Sequence, residues 1–411
     1  MVLSVAKILI LIGGHLCNAP RPQKEAETLA AAGHDVIVRG FWFDPEMIER
    51  DRLLMVDKKW RFEPILDFQP KHRLKNLGIR FQNRIAKELF QRYGIFSPNL
   101  LSYGTTAMLK AARREAADLT IVHSEPGLWV GSQLLNQGFR VGVDFEDWFS
   151  EDLPLKERMN RPIAQLKALE SRLMRECTYC LTTSHALAEA LSQAYQVSTP
   201  TVIYNTFPIH EREQIDGQKR DRQNLDLPSL HWFSQTIGPG RGLDTLLLAL
   251  PHLKIPVEIH LRGNYPDSYR EWLEPMIPGE WRDLIFIHPT VPNQELISRI
   301  AEHDIGLALE SPHCSSRQLT ITNKFFQYLQ AGLAVIATNT AGQTEILSQR
   351  PNIGKLIECD NPLQLAQAIE DLVQPNNLIE AKKAAQEAAQ EKFCWEKEAE
   401  KLIDIANTAL N

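Results

Sequence analysis

A chain of 411 residues, 44% apolar and 23% charged, is too long for one ordinary core and suits two domains of about 200 residues each. With 24 prolines spread along its length, it has the profile of a globular protein and excludes the disordered and fibrous classes. A formal net charge of −6 excludes bulk attraction to nucleic acid or acidic lipid, leaving only a local basic patch to act in that way.

No stretch approaches the ~20 apolar residues of a membrane span. Six cysteines, Cys17, Cys177, Cys180, Cys314, Cys359 and Cys394, follow no staple-like spacing, and the apolar run near the N-terminus flows into a polar segment without a cleavage-type end. The expected home is therefore a reducing cytoplasm, with any membrane role peripheral.

In chain order, "KILILI" (7–12) reads as a buried parallel strand. Gly13 and Gly14 follow, then a helix whose Ala26, Leu29 and Ala30 share one face, which Gly33 ends before the strand "DVIVRGF". This is a βαβ unit with two glycines at the turn that faces a ligand in such sheets; a plain tight turn explains them equally.

The stretch "KHRLKNLGIRFQNRIAKELFQRYG" (71–94) holds seven Lys/Arg against one Glu, with Leu77, Phe81, Ile85 and Leu89 at helical spacing. It reads either as a helix packing its apolar side on the first lobe or as one lying on anionic lipid beside a lipid-linked acceptor. Strands at 119–124, 140–147, 179–184 and 201–205 alternate with helices at 104–117, 126–137, 160–176 and 185–195. Cys177 and Cys180 fall where a helix gives way to a strand, the wrong place for a redox pair, so they read as buried, unreactive thiols.

Residues 206–228 are polar, turn-rich and without apolar period, as expected of a linker. A second alternation runs through strands at 230–238, 257–263, 284–289, 305–310, 333–338 and 354–358, with helices at 242–253, 293–302 and 323–330. A terminal helix carries Trp395, Ala399, Leu402, Ile403 and Ala406 on one face. The expected fold is α/β: two Rossmann-like doubly wound lobes facing across a cleft, at 1–205 and 229–388, with 389–411 a helix returning to the first lobe. Two facing ligand sites suit a two-substrate enzyme. Thr322 or Asn323 would cap the 323–330 helix, whose free amides suit a phosphate; Glu345 would open the next.

The segment "QYLQAGLAVIATNTAGQTE" resembles the group 1 glycosyltransferases, family 4-like enzymes of glycosyltransferase-B architecture. "HLCNAPRPQKEAETLAAAGHDV", "LTTSHALAEAL", "VIYNTFP" and "FSQTIGPGRGLDTLLLAL" extend the likeness over nearly the whole chain. The resemblance implies transfer of a sugar from a nucleotide-sugar donor to a glycan or lipid-linked saccharide, in envelope or exopolysaccharide assembly. It also implies retention by front-face attack; Arg241, Lys324 and helix-end amides can hold the departing diphosphate, so no metal or other cofactor is expected, and the net charge gives no ground to expect nucleic acid as partner.

Carried over, the donor diphosphate meets Gly240 and Arg241, while the loop's other basic position falls on Thr236. The ribose carboxylate falls on Gln327 and its sister on Leu319, which makes Glu310 the nearest substitute; Lys324 offers a further cation. His123 resembles an acceptor-side histidine, and Glu146 stands where the family often has a second one. Were the reaction to invert, Glu146, Asp147 or His123 would have to deprotonate the acceptor. A nucleotide-sugar epimerase and a non-catalytic nucleotide- or glycan-binding scaffold remain as alternatives. A nicotinamide dehydrogenase is disfavoured because "LIGGHLCNAP" lacks the G-x-G-x-x-G spacing.

Overall fold

The computed structural model describes residues 5–69 and 73–411, without the side chains of 73–75 and 155. The chain divides into two α/β units, Met1–Ile203 with Ala399–Asn411, and Tyr204–Glu398.

The first unit is built on strands β1 (Lys7–Leu11), β2 (Asp35–Trp42), β3 (Arg61–Asp67), β4 (Leu119–Val122), β5 (Val141–Phe145), β6 (Tyr179–Thr182) and β7 (Thr201–Val202). They form one sheet in the order β3-β2-β1-β4-β5-β6-β7, and every pairing is parallel. Helices cover both faces of such a sheet, so central strands are apolar throughout; Ile8 to Leu11 and all of β4 are buried. The order reverses between β1 and β4, where Leu11 pairs with Val122. Gly13 and His123 therefore leave the sheet side by side, at the crevice where doubly wound sheets take ligands.

The edge strand β3 is absent from the sequence reading. It contains Pro64 and only Leu66 is buried, so it shows no apolar run, and a proline is tolerated at a sheet edge.

The second unit carries β8 (Ser229–Thr236), β9 (Glu258–Asn264), β10 (Ile285–His288), β11 (Ile305–Ala308), β12 (Ala334–Thr338) and β13 (Gly354–Ile357). Their order, β10-β9-β8-β11-β12-β13, repeats the first sheet's reversal, here between β8 and β11, and these pairings are parallel too. One face packs Leu230, Trp232, Ile259, Leu261, Ile305, Leu307 and Ile336 against apolar residues of the helices Leu243–Ala249 and Pro362–Leu372.

The opposite face carries a buried row of histidines beside apolar residues such as Phe233, Val335 and Ala337. His231 stacks on His303 at 4.5 Å between ring centroids, His303 lies 4.4 Å from His260, and His260 shares a 3.0 Å ring-nitrogen hydrogen bond with His288. Burial holds all four imidazoles below their ordinary pKa, His260 at about 4.

Residues 206–228, expected to link the lobes, belong to the second unit. Polar side chains fasten them: Gln330 Nε2 donates to Pro208 O at 2.7 Å, Asp216 N to Ser298 Oγ at 3.2 Å, and Arg222 Nε to Glu258 at 2.7 Å. Attachment through hydrogen bonds needs no apolar period, which is why the sequence reads as linker. Glu345 does not open a helix; it lies in the second turn of Ala341–Gln349, whose amides Thr340 caps through Gln343 N.

The basic segment forms the helix Arg73–Tyr93. Its attachment runs through buried Asn76, Asn83 and Ala86, with Asn76 Nδ2 donating to Asp67 O at 3.0 Å and Asn83 Nδ2 to Asn99 O at 2.5 Å. The apolar row does not pack on the unit: Leu77, Phe81, Ile85 and Leu89 are 53%, 63%, 42% and 37% exposed. Arg80, Arg84 and Lys87 project beside them. Residues 70–72 lie outside the described residues.

Candidate active site

In the first unit, the predicted pair His123 and Glu146 is brought together. His123 follows β4 and Glu146 follows β5, and Nδ1 lies 2.8 Å from Glu146 Oε1. Nε2 is also engaged, 2.9 Å from Glu25 Oε2 on the helix Pro20–Ala31. His123 is only 2% exposed, so with both nitrogens occupied it presents no free face to a substrate, whereas the Glu146 side chain is 28% exposed. Burial alone would depress the imidazole pKa, but Glu25 and Glu146 hold it well above the ordinary value. Glu146 is thus the member of the pair open to chemistry.

Behind them, Arg21 in the first turn of the same helix donates to Asp144 of β5 at 2.5 Å and to Ile203 O at 2.7 Å. Ser124, next to His123, has φ +64°, a left-handed backbone costing about 1 kcal/mol or more for a residue with a Cβ. Gly13 is needed for this packing, since a Cβ there would sit 2.6 Å from Ser124 Oγ; one at Gly14 would meet nothing within 4 Å. Gly14 is therefore not required by sterics.

Two triads of metal-type donors occur among the described residues, Glu25–His123–Asp144 and His15–Cys17–Asp51. The first holds Arg21 against Asp144. In the second, Asp51 takes His15 Nδ1 at 3.0 Å, Cys17 N at 2.7 Å and Trp42 Nε1 at 2.9 Å, and His15 Nε2 accepts from Phe43 N at 2.8 Å. Burial pushes the Cys17 thiol up to about 12. The second is a closed hydrogen-bonded cluster. Cys177 and Cys180 are half-buried with sulfurs 3.1 Å apart, and that contact, with burial, raises the Cys177 pKa, as expected of unreactive thiols.

In the second unit, the loop after β8 carries Gly240 and Gly242 at φ +71° and +75°, and a Cβ on Gly242 would lie 2.4 Å from Leu309 Cβ. These glycines let the loop lie against the end of β11, which brings Arg241 and Glu310 to one place. Arg241 Nη1 donates to Ser234 Oγ at 2.8 Å. Lys324 Nζ lies 2.9 Å from Glu310 Oε1 and 5.1 Å from the centroid of the Trp232 ring. The two are paired by charge without a well-aligned hydrogen bond.

Burial would raise the Glu310 pKa, yet Lys324, Arg317 and Arg241 together hold it below the ordinary value. Three cations thus surround one carboxylate. Arg317, on the short helix Ser315–Leu319, was not foreseen, because nothing local in "CSSRQL" marks it. His313 reaches back to Gly240 O at 3.2 Å.

The helix Asn323–Ala331 opens at this cluster. Thr322 occupies its N-cap position without capping it, and Thr322 Oγ1 is buried with no hydrogen-bond partner. Phe325 N donates to Thr322 O at 3.1 Å, and the amides ahead of it, on Asn323 and Lys324, have no side-chain cap, the arrangement that receives anions. Asn323 and Gln327 are half-buried, Gln327 one turn beyond Lys324, and Gly332 ends the helix at φ +80°.

Two sheets of the same doubly wound order in one chain, each with its polar residues at the strand-order reversal, define the glycosyltransferase-B class of fold. The chain is similar over nearly its whole length to a glycosyltransferase from Rickettsia africae, at 14% identity, 99% of both chains and TM-score 0.68. It is also similar to Anabaena HepE in complex with UDP-glucose, at 16% identity, 98% of this chain, 100% of that one and TM-score 0.71. Sucrose-phosphate synthase from Thermosynechococcus elongatus matches at 16% identity, 98% of both chains and TM-score 0.68. No curated relative matches at the level of sequence. Residues 229–375 match the family of group 1 glycosyl transferases, so the second unit carries a domain of that family and the protein is a glycosyltransferase.

Proposed function

We propose that the protein transfers a sugar from a UDP-sugar to a glycan or lipid-linked saccharide, with retention and without a metal. The observation that carries this reading is the cluster of Arg241, Arg317 and Lys324 around Glu310 at an uncapped helix N-terminus. It has an excess of positive charge where a diphosphate leaving group needs it, and guanidinium and ammonium groups can take up that charge. Uridine as the base is suggested by structural neighbours bound to UDP and UDP-glucose. Arg317 supplies the charge missing at Thr236. In the first unit, Glu146 accepts a hydrogen bond from an acceptor or donor hydroxyl. Retention rests on the group resemblance.

The exposed apolar row of the helix Arg73–Tyr93, edged by Arg80, Arg84 and Lys87, suits the inner face of an anionic membrane, where a lipid-linked acceptor would be met. No helix among the described residues is long and apolar enough to cross a membrane.

The test is transfer from a panel of UDP-sugars to saccharide and lipid-linked acceptors in the presence of EDTA, with the product anomer read by NMR. A product of inverted configuration overturns retention, and loss of activity in EDTA overturns metal independence. Conversion of the donor sugar to its epimer without acceptor would make the protein an epimerase, and binding without turnover would make it a scaffold.

A further inference from the structure

Four charged side chains, Arg21, Glu25, His123 and Asp144, are buried together beneath Glu146, none more than 2% exposed. Most of their polar atoms are accounted for. Asp144 Oδ2 takes Arg21 Nε at 2.5 Å, Glu25 Oε2 takes His123 Nε2 at 2.9 Å, and Arg21 Nη1 is spent on Ile203 O at 2.7 Å. Glu25 Oε1 and Asp144 Oδ1 remain, both buried and without a hydrogen-bond donor, with Arg21 Nε 3.7 Å from Glu25 Oε1; Arg21 Nη2 and Tyr179 Oη are buried without a partner as well. Two ionised carboxylates facing each other out of water repel, and each leaves an oxygen unsatisfied. One proton between them removes both faults.

We infer that Glu25 is a positioning residue of the first-unit site, acting as a neutral acid whose Oε1–H donates to Asp144 while Oε2 accepts from His123, so that His123 stays a cation clamped on Glu146. With Glu25 neutral, two cations face two anions: Arg21 lies on Asp144, and His123 lies on Glu146. The ring of Tyr179, from β6, closes the cluster against Gly142, where an added Cβ would meet it at 2.3 Å. The titration behaviour agrees. Burial first, then Asp144, raises Glu25 to about 7, whereas burial's upward push on Asp144 is overcome by Arg21 and His123, which hold it low. The functional half of the inference rests on the reading of Glu146 as the substrate-facing group.

Glutamine reproduces the neutral acid, its oxygen accepting from His123 and its amide donating to Asp144; alanine leaves both partners unsatisfied. The experiment compares wild type, Glu25→Gln and Glu25→Ala by melting temperature from pH 5 to 8 and by kcat and KM for sugar transfer. A carboxyl raised in the fold contributes stability that is full below about 4.5 and lost as pH rises to about 7. Melting of Glu25→Gln should therefore gain on wild type steadily from pH 5 to 7 and run parallel above. Glu25→Gln should keep kcat within about twofold, and Glu25→Ala should lose about 10²-fold in kcat with little change in KM.

If Glu25→Gln is as damaged as Glu25→Ala in melting, or its melting difference from wild type is flat with pH, the shared proton is overturned. If the melting pattern holds but Glu25→Ala keeps its kcat, the placement of Glu146 at the reaction is what fails. Imidazole nitrogen shifts that show His123 doubly protonated at pH 7 in both wild type and Glu25→Gln would support the clamp independently of turnover, and a neutral ring would overturn it.

Discussion

Replacing Lys324 by Met separates the two tasks assigned to its ammonium. Nζ lies 2.9 Å from Glu310 Oε1, with side chains 10% and 8% exposed. At an effective dielectric constant of about 20 that distance gives about 6 kcal/mol of attraction, set against several kcal/mol of desolvation per ion, and breaking such a pair costs about 3–5 kcal/mol. Because Arg317 and Arg241 still face Glu310, the lower end applies, about 3 kcal/mol. For a unit of this size that is a fall of about 6–12 °C in Tm. Loss of one charge-assisted hydrogen bond to a diphosphate, about 1.5–3 kcal/mol, weakens UDP binding about 10- to 150-fold.

Calorimetric melting and UDP titration read the two effects separately. Lys324→Met with Glu310→Gln should recover most of the stability and none of the affinity, while Glu310→Gln alone should bind UDP at least as tightly as wild type. Undiminished UDP affinity in Lys324→Met would refute the diphosphate site. A tenfold loss in Glu310→Gln would instead assign that carboxylate to the ribose.

The histidine stack of the second unit predicts acid sensitivity. His231, His260, His288 and His303 are held neutral in the fold, with pKa values below the ~6.5 they have when unfolded, so no penalty exists above that pH. As pH falls from about 6.5 toward 4, the unfolded chain binds protons the fold refuses, and each group costs about 1.4 kcal/mol per pH unit. Urea midpoints at pH 7.5, 6 and 5 check this, and His303→Leu should flatten the slope. For the exposed helix Arg73–Tyr93, changing Arg80, Arg84 and Lys87 to Gln should cost about 1 kcal/mol each on anionic vesicles. Flotation with neutral and anionic liposomes measures it, and unchanged recovery on anionic vesicles would remove the membrane from the proposal.

What the sequence discloses depends on whether the signal is local. Buried parallel strands are continuous apolar runs, so "KILILI", "LTIVHS" and "LAVIAT" stand out, whereas β3, half-exposed and interrupted by Pro64, does not. Helices beginning at Pro45, Pro362 and Pro375 went unread although each carries proline in its first turn, a legitimate start signal. The candidate site divides the same way. Arg241 and Lys324 are visible because each sits in a recognisable loop or helix start. Arg21 and Glu25 show only as an i, i+4 pair, and their meeting with Asp144, 123 residues from Arg21, is a product of strand order that no window of sequence contains. His123 stands at a strand end that the apolar run before it marks, but the engagement of both its nitrogens by Glu25 and Glu146 is equally non-local.

The assignment of Ala399–Asn411 to the first unit bears on how the protein is made. Leu402, Ala406 and Ala409 are buried, and Arg140 Nη1 donates to Leu410 O at 2.6 Å. During translation the ribosome must release all of Tyr204–Glu398 before this stretch exists, so the half synthesised first is the half finished last. Until then a nascent chain exposes the apolar seat those residues will fill, and chaperone capture should peak in that interval.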